Sequence, residues 1–141
     1  MNKGERAMIK GSCHCGSVHF ELDGQVIRFA HCHCGDCRKI HGTTCSSNLV
    51  VPAPTFRIAH GQDSLKAYES SPGKQRWFCS KCGAHTHATM NYKPEIVIVR
   101  AGLIDGDPGI RPQFHIWVKA KAPWYEIHDD LPQYQEGAPA K

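Results

Sequence analysis

Seven of the eight cysteines lie in three short clusters whose spacing suits metal binding. The clusters are Cys13-x-Cys15, Cys32-x-Cys34-x-x-Cys37 and Cys79-x-x-Cys82. Closely spaced thiolates can reach one ion, at roughly 2.3 Å from each sulfur in the case of zinc. Two pairs complete a four-thiolate site, which usually stabilises a fold, whereas a triplet leaves one coordination position open for chemistry. The sequence therefore predicts two zinc ions per chain, one structural and one catalytic.

The two cysteine pairs share a second feature, a glycine directly after the second cysteine. Gly16 follows Cys15 and Gly83 follows Cys82, and glycine tolerates the positive φ that a tight turn around a metal often needs. Both pairs adjoin predicted strands, so one zinc would connect distant parts of the chain, and its binding energy would contribute to folding. The triplet closes only a short loop, which favours a functional role for its zinc.

Disulfides, iron–sulfur clusters and inert core thiols are the competing interpretations of these cysteines. No N-terminal apolar stretch resembles a signal peptide, so we expect a cytoplasmic protein in which close cysteine pairs bind metal or are redox-active. An iron–sulfur cubane would need a fourth ligand after the triplet, often a cysteine followed by proline, and none follows. Zinc is therefore the preferred interpretation.

Composition indicates one globular domain over residues 1–141, with a tail that we expect to fray over residues 135–141. Hydrophobic residues make up 40% of the chain and charged residues 21%, and no apolar run approaches the ~20 residues that cross a bilayer. The formal charge of +4 counts cysteines as neutral; two zinc–thiolate sites would reduce it to about +1. We therefore expect neither nucleic-acid nor membrane binding, and the sequence does not determine the oligomeric state.

Most of the chain has the alternating pattern of β-strands. We expect a strand over 18–22 with a hairpin partner over 26–30 that leads to Cys32, and a helical turn over Gly35–His41. The run over 95–101 is apolar enough for a strand buried on both faces. Further strands are predicted over 46–51, 56–59, 65–68, 75–78, 85–90, 113–118 and 124–127.

The order of motifs resembles one family, the glutathione-dependent formaldehyde-activating enzymes, whose zinc domain is shared with a centromere protein. The matching segments are GSCHCG (11–16), CHCGDCRK (32–39), SPG (71–73), FCSKCG (78–83), LIDGDP (103–108) and KAPWYE (121–126). The resemblance implies a mainly β fold of twisted antiparallel sheets, a zinc-clamped β-tent that is Mss4-like. It also implies structural zinc at Cys13, Cys15, Cys79 and Cys82, and catalytic zinc at Cys32, Cys34 and Cys37.

The activity that the resemblance implies is that of a carbon–sulfur lyase, similar to S-(hydroxymethyl)glutathione synthase. The open zinc would accept a small thiol, such as glutathione, as a thiolate, and the thiolate would attack a small electrophile, such as formaldehyde. The alternative hypothesis is a non-catalytic module stabilised by zinc, which binds a partner or carries glutathione. Metal stoichiometry and the lability of one zinc would discriminate between the two.

The polar residues nearest the triplet are candidates for proton transfer or charge stabilisation. His33 and Arg38 are the first choices, with His41 and Asp36 beside them. The alternatives are that His33 is merely exposed or hydrogen-bonded, and that Arg38 simply pairs with Asp36 at the surface.

The remaining conspicuous residues are interpreted as structural. Cys45 is expected to be a small buried hydrophobe, although a Cys45 that completed the triplet's site would argue against catalysis. His85 and His87 are expected on a strand surface, and His115 as a hydrogen-bonded core histidine. Trp117, Trp124 and Tyr125 are expected to pack in the core or at its edge, with an aromatic pocket wall as the alternative.

Overall fold

The computed structural model describes residues 8–139 and is mainly β, as predicted. Within the described residues there are ten strands, one α-helix and four 3₁₀ turns. The strands are β1 Ile9–Ser12, β2 His19–Leu22, β3 Arg28–Cys32, β4 Ser46–Pro52, β5 Phe56–His60, β6 Leu65–Ser71, β7 Lys74–Cys79, β8 His85–Met90, β9 Ile96–Arg100 and β10 Phe114–Ile116. The helix α1 spans Gly35–His41, and the 3₁₀ turns span Ala53–Thr55, Gln62–Ser64, Ala101–Leu103 and Val118–Ala120.

The chain divides into two compact units, each made of two chain segments. The first unit comprises Met1–Ile27 and Leu49–Ile110, and the second comprises Arg28–Asn48 and Arg111–Lys141. The expectation of one domain over 1–141 stays a prediction.

The first unit holds two sets of antiparallel strands. One is a three-stranded sheet in the order β1-β2-β5, and the other places β9, β8, β7 and β6 side by side. The turn between β6 and β7 consists of Pro72 and Gly73, and the Gly73 φ of 81° is one that any other residue would adopt only with strain. The fully buried apolar side chains of this unit include Val18, Phe20, Leu22, Leu49, Val51 and Val99.

The hairpin predicted between residues 18–22 and 26–30 is wrong. β2 pairs with β1 on one side, with Ile9 opposite Leu22, and with β5 on the other. The segment Ile9–Ser12 has only one large apolar residue, so its alternation is too weak to identify it as a strand. The first partner of β2 was therefore missed.

The second unit contains β3, α1 and β10. β10 pairs with β3 in parallel, with His115 opposite His31 and Ile116 opposite Cys32, which differs from the antiparallel pairing expected throughout. The segment after Asp129 then runs beside β10, since His115 N–H donates to Pro132 O and Tyr134 N–H donates to His115 O. This pairing brings residues from the C-terminal part of the chain next to the strand that ends in the cysteine triplet.

Three further expectations concern residues 124–127, the C-terminal tail and the burial of β9. Residues 124–127, predicted as a strand, have no regular secondary structure, and Trp124 is 71% exposed rather than packed. The tail predicted to fray makes backbone hydrogen bonds at its start, where Gln135 O and Glu136 O accept from Lys119 and Trp117. Residues 140–141 lie outside the described part. In β9, Val97 and Val99 are buried whereas Ile96 and Ile98 are half-buried.

Candidate metal centres

The first cysteine group lies entirely in the first unit. The Sγ atoms of Cys13, Cys15, Cys79 and Cys82 all lie within 4.8 Å of one another. Two of the separations are 3.7 Å, between Cys13 and Cys15, and 3.8 Å, between Cys15 and Cys79. Sulfurs bound tetrahedrally at the zinc–sulfur distance are about 3.8 Å apart. The four thiols could therefore hold one ion of this kind in a closed site.

Two similar turns present these four sulfurs. Gly16 N–H donates to Cys13 O, and Gly83 N–H donates to Cys79 O. Both glycines have a φ of 80°. This confirms the conformation predicted for both glycines. The Val18 amide also donates to the Cys13 sulfur at 3.3 Å, a contact that supports a thiolate.

The surroundings of this group favour negative charge on some sulfurs and oppose it on others. Hydrogen bonds with the side chain and the backbone of Ser17 lower the pKa of Cys15 to about 6, and a backbone hydrogen bond with Ala84 lowers the pKa of Cys82. Burial raises the pKa of Cys79, which is fully buried. Without a cation the four thiols cannot all ionise, whereas a divalent metal deprotonates its thiol ligands. The donor set therefore fits a bound metal.

The second cysteine group lies entirely in the second unit. Cys32 ends β3, Cys34 is the N-cap of α1, and Cys37 lies in the first turn of the helix. Their Sγ atoms also lie within 4.8 Å of one another, and the Cys37 amide donates to the Cys34 sulfur at 3.3 Å. The strand end and the helix start thus place three sulfurs together through local structure alone.

Cys32 shows why this group also fits a metal. The neighbouring sulfurs of Cys34 and Cys37, together with burial, raise the pKa of the Cys32 thiol well above its ordinary value. A divalent cation would reverse that effect by neutralising the crowded charges. The group could therefore hold a metal ion with three thiolates.

No fourth ligand joins this group among residues 8–139. Cys45 lies outside the set of mutually close sulfurs and is half-buried. Burial raises the pKa of its thiol, and a hydrogen bond with Thr44 opposes that shift. Cys45 was expected to be a small buried hydrophobe; it is only half-buried, and it does not complete the triplet.

A chain of side-chain hydrogen bonds leads to His33, the residue between Cys32 and Cys34. His33 Nε2 lies 2.9 Å from His115 Nδ1, and His115 Nε2 lies 3.0 and 3.1 Å from the two carboxylate oxygens of Asp129. Both histidines are buried, at 0% and 3% exposure. His115 is therefore the hydrogen-bonded core histidine predicted from the sequence, whereas His33 is hydrogen-bonded but not exposed.

The other ring nitrogen of His33, Nδ1, is buried and has no hydrogen-bond partner in the described part of the chain. Burial, together with the neighbouring His115, lowers the pKa of His33 to about 4. The ring is therefore neutral at physiological pH, and it stacks on Tyr125 at 6.2 Å between ring centroids. An unpartnered buried nitrogen of this kind is uncommon in folded proteins and calls for an explanation.

Asp129 is a site residue that the sequence did not identify. It reaches His115 because the segment that contains it folds beside β10, and its carboxylate also accepts the Leu131 amide at 3.0 Å. Hydrogen bonds from His115 and Leu131 lower the pKa of Asp129, which keeps the carboxylate ionised. The local sequence around Asp129 and Asp130 has no pattern that predicts the hydrogen bond between Asp129 and His115.

The surface pairing suggested for Arg38 is wrong. Asp36 and Arg38 form no ion pair within residues 8–139, and the Nε of Arg38 is buried without a hydrogen-bond acceptor. Both residues lie on α1, where Asp36 is exposed and Arg38 is half-buried.

The expectation for the histidines of β8 is wrong for His87. His87 is 6% exposed, it stacks on Trp77 with ring planes 6° apart, and its Nδ1 lies 2.7 Å from Thr86 Oγ1. Burial and the charge of Arg100 lower the pKa of His87 to about 4. His85 is half-buried, and neither histidine belongs to a metal group within residues 8–139.

The part of the chain that the structure describes contains no helix of the length and apolarity that a membrane span requires.

The chain is similar to known proteins in both sequence and fold. Residues 8–120 match the sequence profile of a family described as "Glutathione-dependent formaldehyde-activating enzyme". A Halomonas elongata protein named "Putative glutathione-dependent formaldehyde-activating enzyme" is 33% identical in an alignment of 129 positions that covers 85% of this chain and 81% of that protein. The crystal structure of a Rhodobacter sphaeroides protein from a structural genomics programme is also similar. It has a TM-score of 0.59 and 26% identity, and the match covers 70% of this chain and 89% of that one.

Proposed function

Because the chain belongs to the family of glutathione-dependent formaldehyde-activating enzymes, we propose that it is a zinc-dependent carbon–sulfur lyase. It joins a small thiol to a small aldehyde and catalyses the reverse reaction. Glutathione and formaldehyde are the substrates suggested by the family's description. The observation that carries this proposal is the group of Cys32, Cys34 and Cys37, to which residues 8–139 add no fourth ligand.

The two cysteine groups are proposed to hold one zinc each, with different roles. The group of Cys13, Cys15, Cys79 and Cys82 closes a tetrahedral site and leaves no position for a substrate. Zinc bound by the other three cysteines would supply an open coordination position at which a thiol loses its proton near neutral pH. The same three anionic sulfurs weaken the metal as an electrophile, which favours a thiol rather than water as the reacting group.

In the reaction, a carbon–sulfur bond forms, the carbon–oxygen double bond becomes single, and one proton moves from sulfur to oxygen. His33 is the group proposed to carry that proton. Its Nδ1 is buried and unused, so it can accept the thiol proton and return it to the new hydroxymethyl oxygen. Because the ring gains and then loses one proton, the histidine is regenerated in each cycle.

Arg38 is proposed to stabilise negative charge that develops on the aldehyde oxygen, or to hold a substrate carboxylate. It follows Cys37 in α1, and its Nε is buried without an acceptor. A guanidinium in a partly buried position interacts more strongly with an anion than a surface lysine does. Neighbouring Lys39 is exposed and offers a matched comparison.

The direct test is exchange of ¹³C-labelled formaldehyde with its glutathione adduct, measured by NMR in the presence and absence of the zinc-loaded protein. We expect exchange above the uncatalysed background, a loss of that excess on Cys34→Ser, and a loss of about 10²-fold on His33→Gln. Arg38→Gln should reduce the rate more than Lys39→Gln does. Cobalt substitution adds a binding readout, since an added sulfur ligand should intensify the thiolate-to-cobalt absorption.

S-Methylglutathione is the matched control, because it keeps the peptide but cannot become a thiolate. The proposal requires cobalt spectra that respond to glutathione and not to this analogue. A spectrum that ignores every small thiol would refute thiolate binding. A spectrum that responds without any catalysed exchange would instead establish a glutathione carrier that is not an enzyme.

A further inference from the structure

His115 and Asp129, which lie outside the cysteine clusters, form a chain of hydrogen bonds that ends at the His33 ring. We propose that Asp129 and His115 are positioning residues that hold His33 as its Nε2–H tautomer, so that its Nδ1 is a hydrogen-bond acceptor. The catalytic consequence rests on the proposed function, because only a reacting thiol would use that acceptor. The tautomer itself is a property of the resting protein and is measured without substrate.

The assignment follows from counting protons along the hydrogen bonds. The Asp129 carboxylate can only accept, so the nitrogen that faces it, His115 Nε2, carries the hydrogen. A neutral histidine has one N–H, which leaves His115 Nδ1 as an acceptor. The 2.9 Å contact then requires a donor on the other side, and that donor is His33 Nε2. The second nitrogen of His33, Nδ1, is left with a lone pair.

The structure holds each member of this chain in place. His115 lies on β10 between β3 and the segment that includes Pro132 and Tyr134, with backbone hydrogen bonds to both residues of that segment. Asp129 is fixed by the Leu131 amide, which donates to Oδ1 at 3.0 Å. The His33 ring packs against both His115 and Tyr125, with centroid distances of 5.1 and 6.2 Å. None of the three side chains can turn without breaking such a contact.

Asp129→Asn should reverse the whole chain of donors and acceptors. The Leu131 amide would keep the amide oxygen of the new residue at the Oδ1 position, 3.1 Å from His115 Nε2, and the NH₂ group would replace Oδ2, the nearer atom at 3.0 Å. A hydrogen on His115 Nε2 would then face the hydrogens of that NH₂ group, which disfavours the wild-type tautomer. That NH₂ donates to His115 Nε2, which moves the His115 hydrogen to Nδ1. His33 Nε2 would then have to accept, and the His33 hydrogen would move to Nδ1. The substitution thus changes an acceptor into a donor with little change of shape.

The experiment is long-range ¹H–¹⁵N NMR of the histidine rings in zinc-loaded protein near pH 8, above the ordinary histidine pKa. In the wild type we expect a protonated Nε2 and an unprotonated Nδ1 for both His33 and His115. Asp129→Asn should exchange the two patterns at both residues. The matched control is Asp130→Asn, which removes the same charge from the adjacent exposed residue and should leave both patterns unchanged.

Two results would overturn the inference. One is a wild-type His33 that carries its hydrogen on Nδ1, as it would if His115 were doubly protonated and donated at both nitrogens. The other is a folded Asp129→Asn variant whose ring signals match the wild type. If the tautomers are as expected but no exchange of the glutathione adduct is catalysed, the inference stands and the proposed function fails. If both hold, Asp129→Asn should lower the exchange rate by about 10²-fold at unchanged zinc content, and Asp130→Asn should not.

Discussion

Three histidines of this chain are buried, and each has a hydrogen-bond partner. His33, His87 and His115 are each less than a tenth exposed, yet their sequence surroundings favoured three different interpretations. Alternation along a strand tells which residues share a face but not how completely that face is covered. The partner of His33 lies 82 residues away, and the carboxylate behind it belongs to a segment without regular structure. The cysteines could be grouped from the sequence, but this hydrogen-bond chain required the fold.

His87 gives a prediction for the pH dependence of stability. Its pKa is lowered to about 4 in the folded protein, whereas an unfolded histidine titrates near 6.5. The unfolded state therefore binds more protons between these values, so stability is complete above about pH 6.5 and falls as the pH is lowered towards 4. On this basis His87 alone should account for a loss of about 2 kcal/mol between pH 7 and 5.

Urea unfolding at both pH values, in excess zinc, measures this loss. His87→Gln should have a smaller loss than the wild type, by about the same 2 kcal/mol, because glutamine does not titrate. The control is His128→Gln, since His128 is exposed, and its loss should equal that of the wild type. An equal pH dependence in all three proteins would show that His87 is not held neutral by burial.

At the scale of elements, the bounds predicted for α1 and for β8 are those that the structure shows. The bounds of α1, Gly35–His41, agree with the prediction because all its signals are local. Cys34 caps the N-terminus through its sulfur, and Gly42 ends the helix with a φ of 60°. The pairing of β3 with β10 could not be predicted from local signals, because these parallel strands are far apart in sequence.

The two glycines at the ends of α1 should respond oppositely to the same substitution. An added Cβ meets no atom within 4 Å at either position, but only Gly42 has a positive φ. Gly42→Ala should therefore destabilise the protein by about 1 kcal/mol, through backbone strain alone. Gly35→Ala should be neutral or stabilising by up to about 1 kcal/mol, because it restricts the unfolded chain. Chemical denaturation of the two variants is the measurement, and equal destabilisation would contradict the assigned C-cap.

At the scale of the whole molecule, the two cysteine groups differ in the length of chain that they connect. The four-cysteine group draws on both chain segments of the first unit, and Cys15 and Cys79 are 64 residues apart. The three-cysteine group comes from one segment of the second unit and spans only the end of β3 and the start of α1. A metal in the first group therefore restricts a long loop of the unfolded chain, whereas a metal in the second restricts very little.

This difference predicts that serine substitution affects the fold when it is made in the four-cysteine group but not when it is made in the three-cysteine group. Cys79→Ser should give insoluble or unfolded protein, because binding energy of about 10 kcal/mol or more is coupled to folding at a structural zinc site. Cys34→Ser should keep the β-type circular dichroism spectrum and lose one zinc. Cys45→Ser is the control and should retain both zinc ions, since Cys45 lies outside either group. Metal analysis and thermal melting measure the zinc content and the stability of each variant.

Two outcomes would contradict this prediction. A soluble Cys79→Ser protein with an unchanged Tm would show that the first group does not stabilise the fold. Global unfolding of Cys34→Ser would show that both metals are structural.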